Sequence, residues 1–400
     1  MLVTFIESFE MYLETDLDAE FAKNYKRKET PAPVTANVFD GSKWIARIPT
    51  CVNCKQVEEN ESHLKLCSRC KLVYYCCKEC QVSHFEQHKV QCKAIKRATD
   101  SVDYEEKSLK HPIDLFETAT GEFYYHFGVQ YILARHDLLK KIHEMAQQME
   151  SRYLWEINLH HHSEMMRLCT SDNAGTRFNI PYILLHLDKD DMAYGFCRFW
   201  LTMIQRSELD RRDELHRRSS RGDWLFPYEE YCRYDDIMLC VNDEANKECI
   251  CIRLLVAMCL IKMRLISVHI NRKKAAEIGK HTYPGNNTIN IEQEEQVIKE
   301  QGIILSRLME RIHKENPSML PALINPGPLM KQKDPDGYSR GSTAEAYLVA
   351  RNALRLIERI PGALETLQHQ FGSSPVYPHT IDTEYYGTYG IHNCLEFDEG

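Results

Sequence analysis

Seven cysteines and one histidine between positions 51 and 92 constrain this chain more than any other feature of it. They are Cys51, Cys54, Cys67, Cys70, Cys76, Cys80, His88 and Cys92, spaced C-x2-C, C-x2-C, C-x3-C and H-x3-C. Each spacing lets both side chains of a pair face one ion. A structural zinc takes four thiolate or imidazole ligands in a tetrahedron, so eight such ligands in so short a segment specify two closed sites. Neither site keeps a position for a reactive water.

The order of the pairs resembles the MYND finger, a small cross-braced zinc domain, over nearly the whole segment. That resemblance implies that the first and third pairs share one metal and the second and fourth the other. One ion then falls to Cys51, Cys54, Cys76 and Cys80, and the other to Cys67, Cys70, His88 and Cys92. Two Zn2+ per chain are expected, with metal binding and folding as one event, since neither half closes around its ion without the other. MYND fingers grip short peptides, commonly proline-rich with a leucine between two prolines, laid along the ribbon as an added strand. Matching the peptide-contacting positions one at a time gives Ser68, Gln81 and Phe85, the last standing where the family usually has tryptophan. Phenylalanine keeps an apolar ring but lacks the indole N–H. Phe85 and Tyr75 have a second reading as filling for the small core between the metals. Cys77, His63 and His84 are expected to be surface or packing residues, because eight ligands already fill both tetrahedra.

Charge limits the partners. The chain carries a formal net charge of −8, and the segment 51–97 holds nine basic and five acidic side chains. Two zinc ions and seven thiolates bring that segment to about +1, which is no phosphate-binding surface, so direct nucleic-acid binding is not expected. No secretory signal is visible at the start, and no run reaches about eighteen uninterrupted apolar residues, so no membrane role is expected. The most apolar stretch, Cys249 to Ile270, is broken by Arg253, Lys262 and Arg264 and reads as a buried helix. Eight further cysteines are scattered singly beyond the finger, a usage that suits a reducing compartment, cytoplasmic or nuclear.

After the finger the apolar periodicity is helical. The run Val82–Thr99 is expected to contain the finger's own C-terminal helices, and further helices are expected over Phe123–Met149 with a break near Gly128, Leu154–Leu168, Ile180–Leu187, Asp191–Gln205, Cys249–Ile270, Ile291–His313 and Ala344–Arg359, with a last one after Pro361-Gly362. Asn173-Ala174-Gly175, Tyr283 to Asn287 and Lys331 to Arg340 mark loops, Pro181 suits a first turn, and Ser342 with Glu345 makes a capping box. Paired helices of this length resemble a degenerate tetratricopeptide-like array without a clean repeat. The stretches Arg167 to Gly175 and Asn316 to Leu329 resemble segments of fungal and protist MYND proteins of unknown role. Pro321 to Pro326 is similar to the peptide type that fingers bind, and has two readings: a self-docking segment or a rigid loop.

No phosphate-binding loop, dinucleotide fingerprint or nucleophile elbow is present. His160, His161 and His162 are consecutive, cannot share one helix face, and are expected at the surface. Arg206 to Asp223 alternates in sign and reads as solvated, with Arg217-Arg218-Ser219-Ser220 as a short basophilic phosphosite pattern. MYND fingers are also inserted in SET-type lysine methyltransferases. The glycine-rich N-terminal segment of that family is missing, its Asn-His-Ser-Cys motif is present only as the rearranged Ile391-His392-Asn393-Cys394, and its terminal cysteine cluster is absent. The expectation is therefore a mainly α protein: an N-terminal segment 1–50, a two-zinc finger 51–92, an α-helical repeat-like interaction domain 101–372 and a tail 373–400. It is expected to act as an interaction adaptor or scaffold, in gene regulation among other settings, and not as an enzyme.

Overall fold

A computed structural model describes residues 49–55, 64–118, 123, 128–169, 172, 174–203, 228–239, 251–282, 289–333, 335 and 337–377. The N-terminal segment to residue 48, His63, the Arg206–Asp223 run with its phosphosite pattern, the Tyr283 to Asn287 turn, Cys240, Cys249 and the tail from 378 with Cys394 lie outside the described residues. Among those described, the fold is mainly α, with twelve helices and one two-stranded ribbon. Strands β1 (Lys65–Leu66) and β2 (Tyr74–Tyr75) pair antiparallel, Lys65 opposite Tyr75, and Cys51 bridges to Tyr74 on the other side of β2.

The first helix, α1 (Lys78–Leu109), continues well past the finger. It packs on α3 (Val129–Met149), and α3 packs on α4 (Arg152–Leu168), while the short α2 (Leu115–Thr118) lies in the connection. Buried residues of the finger, including Leu72, Val73 and Tyr75, belong to one apolar cluster with Ile95 and Ala98 of α1, Ile142 and Met145 of α3, and Leu154 and Trp155 of α4. The spacing of Ile95, Ala98, Val102 and Leu109 gives α1 its inward stripe.

A second, larger cluster unites α5 (Ile180–His186), α6 (Asp190–Met203), α7 (Ile252–Thr282), α8 (Ile291–Glu315), α9 (Met319–Ile324), α11 (Thr343–Arg359) and α12 (Ala363–Phe371), with the single-turn α10 (Gly327–Met330) on α11. Helix α7 is its axis. By length and composition Ile252–Ile278 would cross a membrane, with a mean hydropathy of 1.6, yet 72% of its most apolar window is buried inside the fold. Two of its interrupting charges, Lys262 and Arg264, are matched internally. Lys262 is wholly buried, and its ammonium donates to the carbonyls of Arg233 and Asp235 at 2.6 and 2.7 Å and to Gln301 Oε1 at 2.8 Å. Arg264 donates to the Leu185 carbonyl at 2.6 Å and pairs with Asp188 and Asp190. Three donors meeting three acceptors make the buried ammonium tolerable.

Local signals act as their chemistry dictates. Pro181 lies in the first turn of α5, where no N–H is needed. Ser342 Oγ accepts from the Glu345 N–H at 3.1 Å, and the Glu345 carboxylate turns back to accept from the Gly341 N–H at 2.8 Å and the Asn316 amide at 3.0 Å. In the loop before α5, Asp172 accepts from the N–H groups of Thr176 and Arg177, and Gly175 supplies the left-handed turn with φ +65.

Three expectations need correction. His162 is fully buried rather than at the surface, because the face of α4 that carries Leu154, Trp155, Asn158 and His162 turns inward. Pro321 to Pro326 is neither an extended docking segment nor a loop: Met319–Ile324 is a helix in which every residue is buried. Pro321 falls in its first turn, where a proline is tolerated. Finally, α1 is one uninterrupted helix, where the sequence suggested more than one over Val82–Thr99.

Candidate metal centre and finger surface

Each proposed ligand pair sits where its local structure aims it. Cys51 is on the bridge to β2, and the Lys55 N–H returns to the Cys51 carbonyl at 2.9 Å to close the turn that presents Cys54. Cys67 follows β1, and Lys71 N–H bonds the Cys67 carbonyl at 3.0 Å, which folds Cys70 back towards Cys67. Cys76 follows β2. Cys80, His88 and Cys92 are on α1, the last two one turn apart on its buried face.

The eight side chains assemble into two groups, Cys51, Cys54, Cys76 and Cys80 in one and Cys67, Cys70, His88 and Cys92 in the other. Within each, the ligand atoms lie within 4.8 Å of one another. Sulfur separations are 3.6 Å for Cys54 to Cys76, 3.6 Å for Cys76 to Cys80 and 3.8 Å for Cys67 to Cys92. Zinc–sulfur bonds of about 2.3 Å in a tetrahedron place neighbouring sulfurs about 3.8 Å apart, so the donor sets fit zinc. Cys70 Sγ to His88 Nε2, at 3.5 Å, fits the mixed edge and identifies Nε2 as the ligating nitrogen.

The two centres differ in exposure. All four ligands of the second are buried, whereas in the first Cys54 is exposed and Cys76 and Cys80 are half-buried. Burial accordingly raises the Cys70 thiol to about 12 in the absence of metal. At Cys51 burial works in the same direction but is outweighed by hydrogen bonds from the backbone of Cys54, Cys76 and Asn53, which lower it to about 6. Burial also lowers His88, keeping its imidazole neutral as a ligand must be. A bound Zn2+ overrides these differences by holding the thiolates directly.

Around the second centre, Tyr75 is buried and its hydroxyl meets His84 Nδ1 at 3.0 Å, while the His84 ring stacks on His88 at 5.6 Å. His84 thus braces a ligand ring from outside the tetrahedron. Cys77 is exposed and serves as the N-cap of α1, its sulfur accepting from the Cys80 N–H at 3.4 Å.

Of the positions expected to contact a peptide, Phe85 is 54% exposed on α1 and Gln81 is half-buried one turn before it on the same face. Val82, 66% exposed, lies beside them. Ser68 is exposed at the end of β1. Tyr75 fills the core of the finger and Phe85 does not.

The MYND finger family profile matches residues 51–92. Residues 51–92 are a MYND finger. With its two four-ligand groups, the finger binds two zinc ions. Relatives include a SET and MYND domain-containing protein of Dictyostelium discoideum, 31% identical over 97 residues, which make up 24% of this chain and 18% of that protein. Another is SET domain-containing protein 14 of Caenorhabditis elegans, 43% identical over 53 residues, 12% of each chain. The chain thus spans less than a fifth of the length of these relatives, and the likeness is to their finger region. No solved structure matches the chain significantly.

Proposed function

We propose that this protein is an interaction adaptor in which the MYND finger receives an extended peptide and the helical region supplies a larger platform. The observation that carries the reading is the exposure of Phe85 and Val82 on α1 in a finger whose β1 is paired on one side. Both side chains lie outside the core of the finger, and β1 has a single partner strand among the described residues. A peptide added along β1 gains main-chain hydrogen bonds from Leu66, whose N–H and C=O face away from β2, with Ser68 just beyond the strand, and sets a proline or leucine ring or chain against Phe85. Gln81 holds a peptide carbonyl or amide in this reading. Both metals are structural in this reading, since all four positions of each are protein ligands. A cytoplasmic or nuclear setting, including gene regulation, goes with the reading through the buried thiols at Cys169, Cys197, Cys232, Cys251 and Cys259, none of them in a disulfide.

Calorimetric titration of the full chain with a peptide holding leucine between prolines tests it. Phe85→Ala is expected to weaken binding about tenfold, the scale of one aromatic anchor, without changing zinc content. Equal binding by wild type, Phe85→Ala and Gln81→Ala would remove the groove. The names of the relatives raise SET-type methyl transfer as the second reading. Saturable binding of S-adenosylmethionine in the same calorimeter would favour it over the adaptor.

A further inference from the structure

The first metal group contains a thiol too many. Cys77-Lys78-Glu79-Cys80 is a C-x-x-C set at the start of a helix, superimposed on the C-x3-C pair that binds zinc, and the two motifs share Cys80. Cys77 caps α1 with its sulfur on the Cys80 N–H at 3.4 Å, and lies 3.8 Å from Cys76 Sγ, itself 3.6 Å from Cys80 Sγ. Five sulfurs therefore crowd one four-coordinate ion, and Cys77 and Cys54 are exposed. The second group has no such neighbour among the described residues, and all its ligands are buried.

We propose that Cys77 and Cys80 form a redox pair whose oxidation by a hydroperoxide removes Cys80 from the first zinc and opens that site alone. Geometry selects the pair. Residues three apart on a helical turn have Cα atoms about 5–6 Å apart, inside the disulfide range, while the adjacent Cys76 and Cys77 at about 3.8 Å fall below it. The step balances as follows. The exposed Cys77 sulfur attacks the peroxide, the O–O bond breaks, water leaves, and Cys77 becomes a sulfenic acid. The Cys80 thiolate, leaving zinc, attacks the Cys77 sulfur, the S–O bond breaks, and hydroxide departs. The two sulfurs lose two electrons and the peroxide gains them. The ion is left with Cys51, Cys54 and Cys76 and a position that water fills, in a site already open to solvent. Since Cys51 bridges β2 and Cys80 abuts Gln81, loss of this ion loosens the ribbon and the start of α1 together.

The test uses the full, reduced, two-zinc chain, hydrogen peroxide, a colorimetric zinc chelator and peptide mass analysis. One zinc is expected to appear about tenfold faster than the other, together with a Cys77–Cys80 peptide lighter by two hydrogens. Cys77→Ser keeps a good N-cap and both zincs, and should release the first ion several-fold more slowly. Adding a dithiol and zinc should restore two ions to the wild type. Equal release of both ions, an unchanged rate in Cys77→Ser, or a disulfide that maps elsewhere would each overturn the pair.

Discussion

Acidification should destabilise the helical region through His162. The side chain is fully buried on α4, its Nδ1–H donates to the Asn158 carbonyl at 3.0 Å, and Nε2 has no hydrogen-bond partner to accept from a second proton. Burial first, and then the nearby His143, push its pKa down to about 3. An unfolded histidine titrates near 6.5, so between pH 6.5 and about 3 the unfolded chain binds one proton more than the folded one. Stability therefore rises with pH across that window and falls as pH drops from 6.5. At pH 5 the difference amounts to about 2 kcal/mol for this one group, out of a total stability on the order of 10 kcal/mol. His143, half-buried and also lowered to about 4 mainly by burial, adds a share of the same sign and of nearly the same size at pH 5. Urea unfolding followed by helical circular dichroism at pH 8 and pH 5 measures the loss. Acid also frees zinc thiolates, so the decisive quantity is the change in pH dependence caused by His162→Leu, which leaves the metal ligands intact. That variant should shrink the pH 8 to pH 5 loss by about 2 kcal/mol. A loss equal to wild type within about 0.5 kcal/mol would refute the assignment of His162 as the buried neutral group.

Metal analysis should give two zincs per chain, and a chelator should strip the exposed group before the buried one. One zinc at saturation would contradict the pairing. Cys67→Ala should lose the buried ion and also weaken hydrogen-exchange protection in α3 and α4, because finger and helices share one apolar cluster. Protection confined to its wild-type level there would show that the finger unfolds alone. Lys262→Met should cost about 3 kcal/mol in chemical denaturation by stranding the carbonyls of Arg233 and Asp235 and the Gln301 amide oxygen. Burial lowers Lys262 to about 7, so wild-type stability should also gain from this group as pH rises above 7, a gain the variant lacks. Ser342→Ala should cost about 1 kcal/mol through the lost cap on α11, and an unchanged midpoint would deny the cap any weight.

The zinc ligands were legible in the sequence because tetrahedral coordination permits few spacings, and residue type plus spacing is all it requires. Caps and breaks were legible at Pro181, Ser342 and Gly175 for the same reason, since each answers to local backbone chemistry. What failed was burial at polar or proline-bearing positions. His160, His161 and His162 are chemically identical in sequence, and only the packing of α3 and α5 against α4 decides that the third points inward. Lys262 reads only as a charge that breaks the apolar run of α7, and its burial is explained once the carbonyls of residues 233 and 235, nearly thirty positions away, are seen to converge on it. Prolines at 321 and 328 argued for extended chain, yet each falls in the first turn of a short helix, where the missing N–H costs nothing.

The continuity of α1 bears on how an event at the finger reaches the rest of the fold. His88 and Cys92 hold the buried zinc from the same helix whose later residues Ile95, Ala98 and Val102 pack towards α3. The exposed first group grips only the start of that helix, through Cys80. Losing the exposed ion therefore perturbs the end of α1 where Gln81 and the exposed Phe85 lie, while the buried ion continues to anchor the helix to the rest of the fold. A finger with two sites of unequal exposure on one long helix can change its ligand surface without giving up its attachment. The same arrangement predicts the reverse for the buried group, whose loss must reach α3 because no loop or hinge separates Cys92 from Ile95.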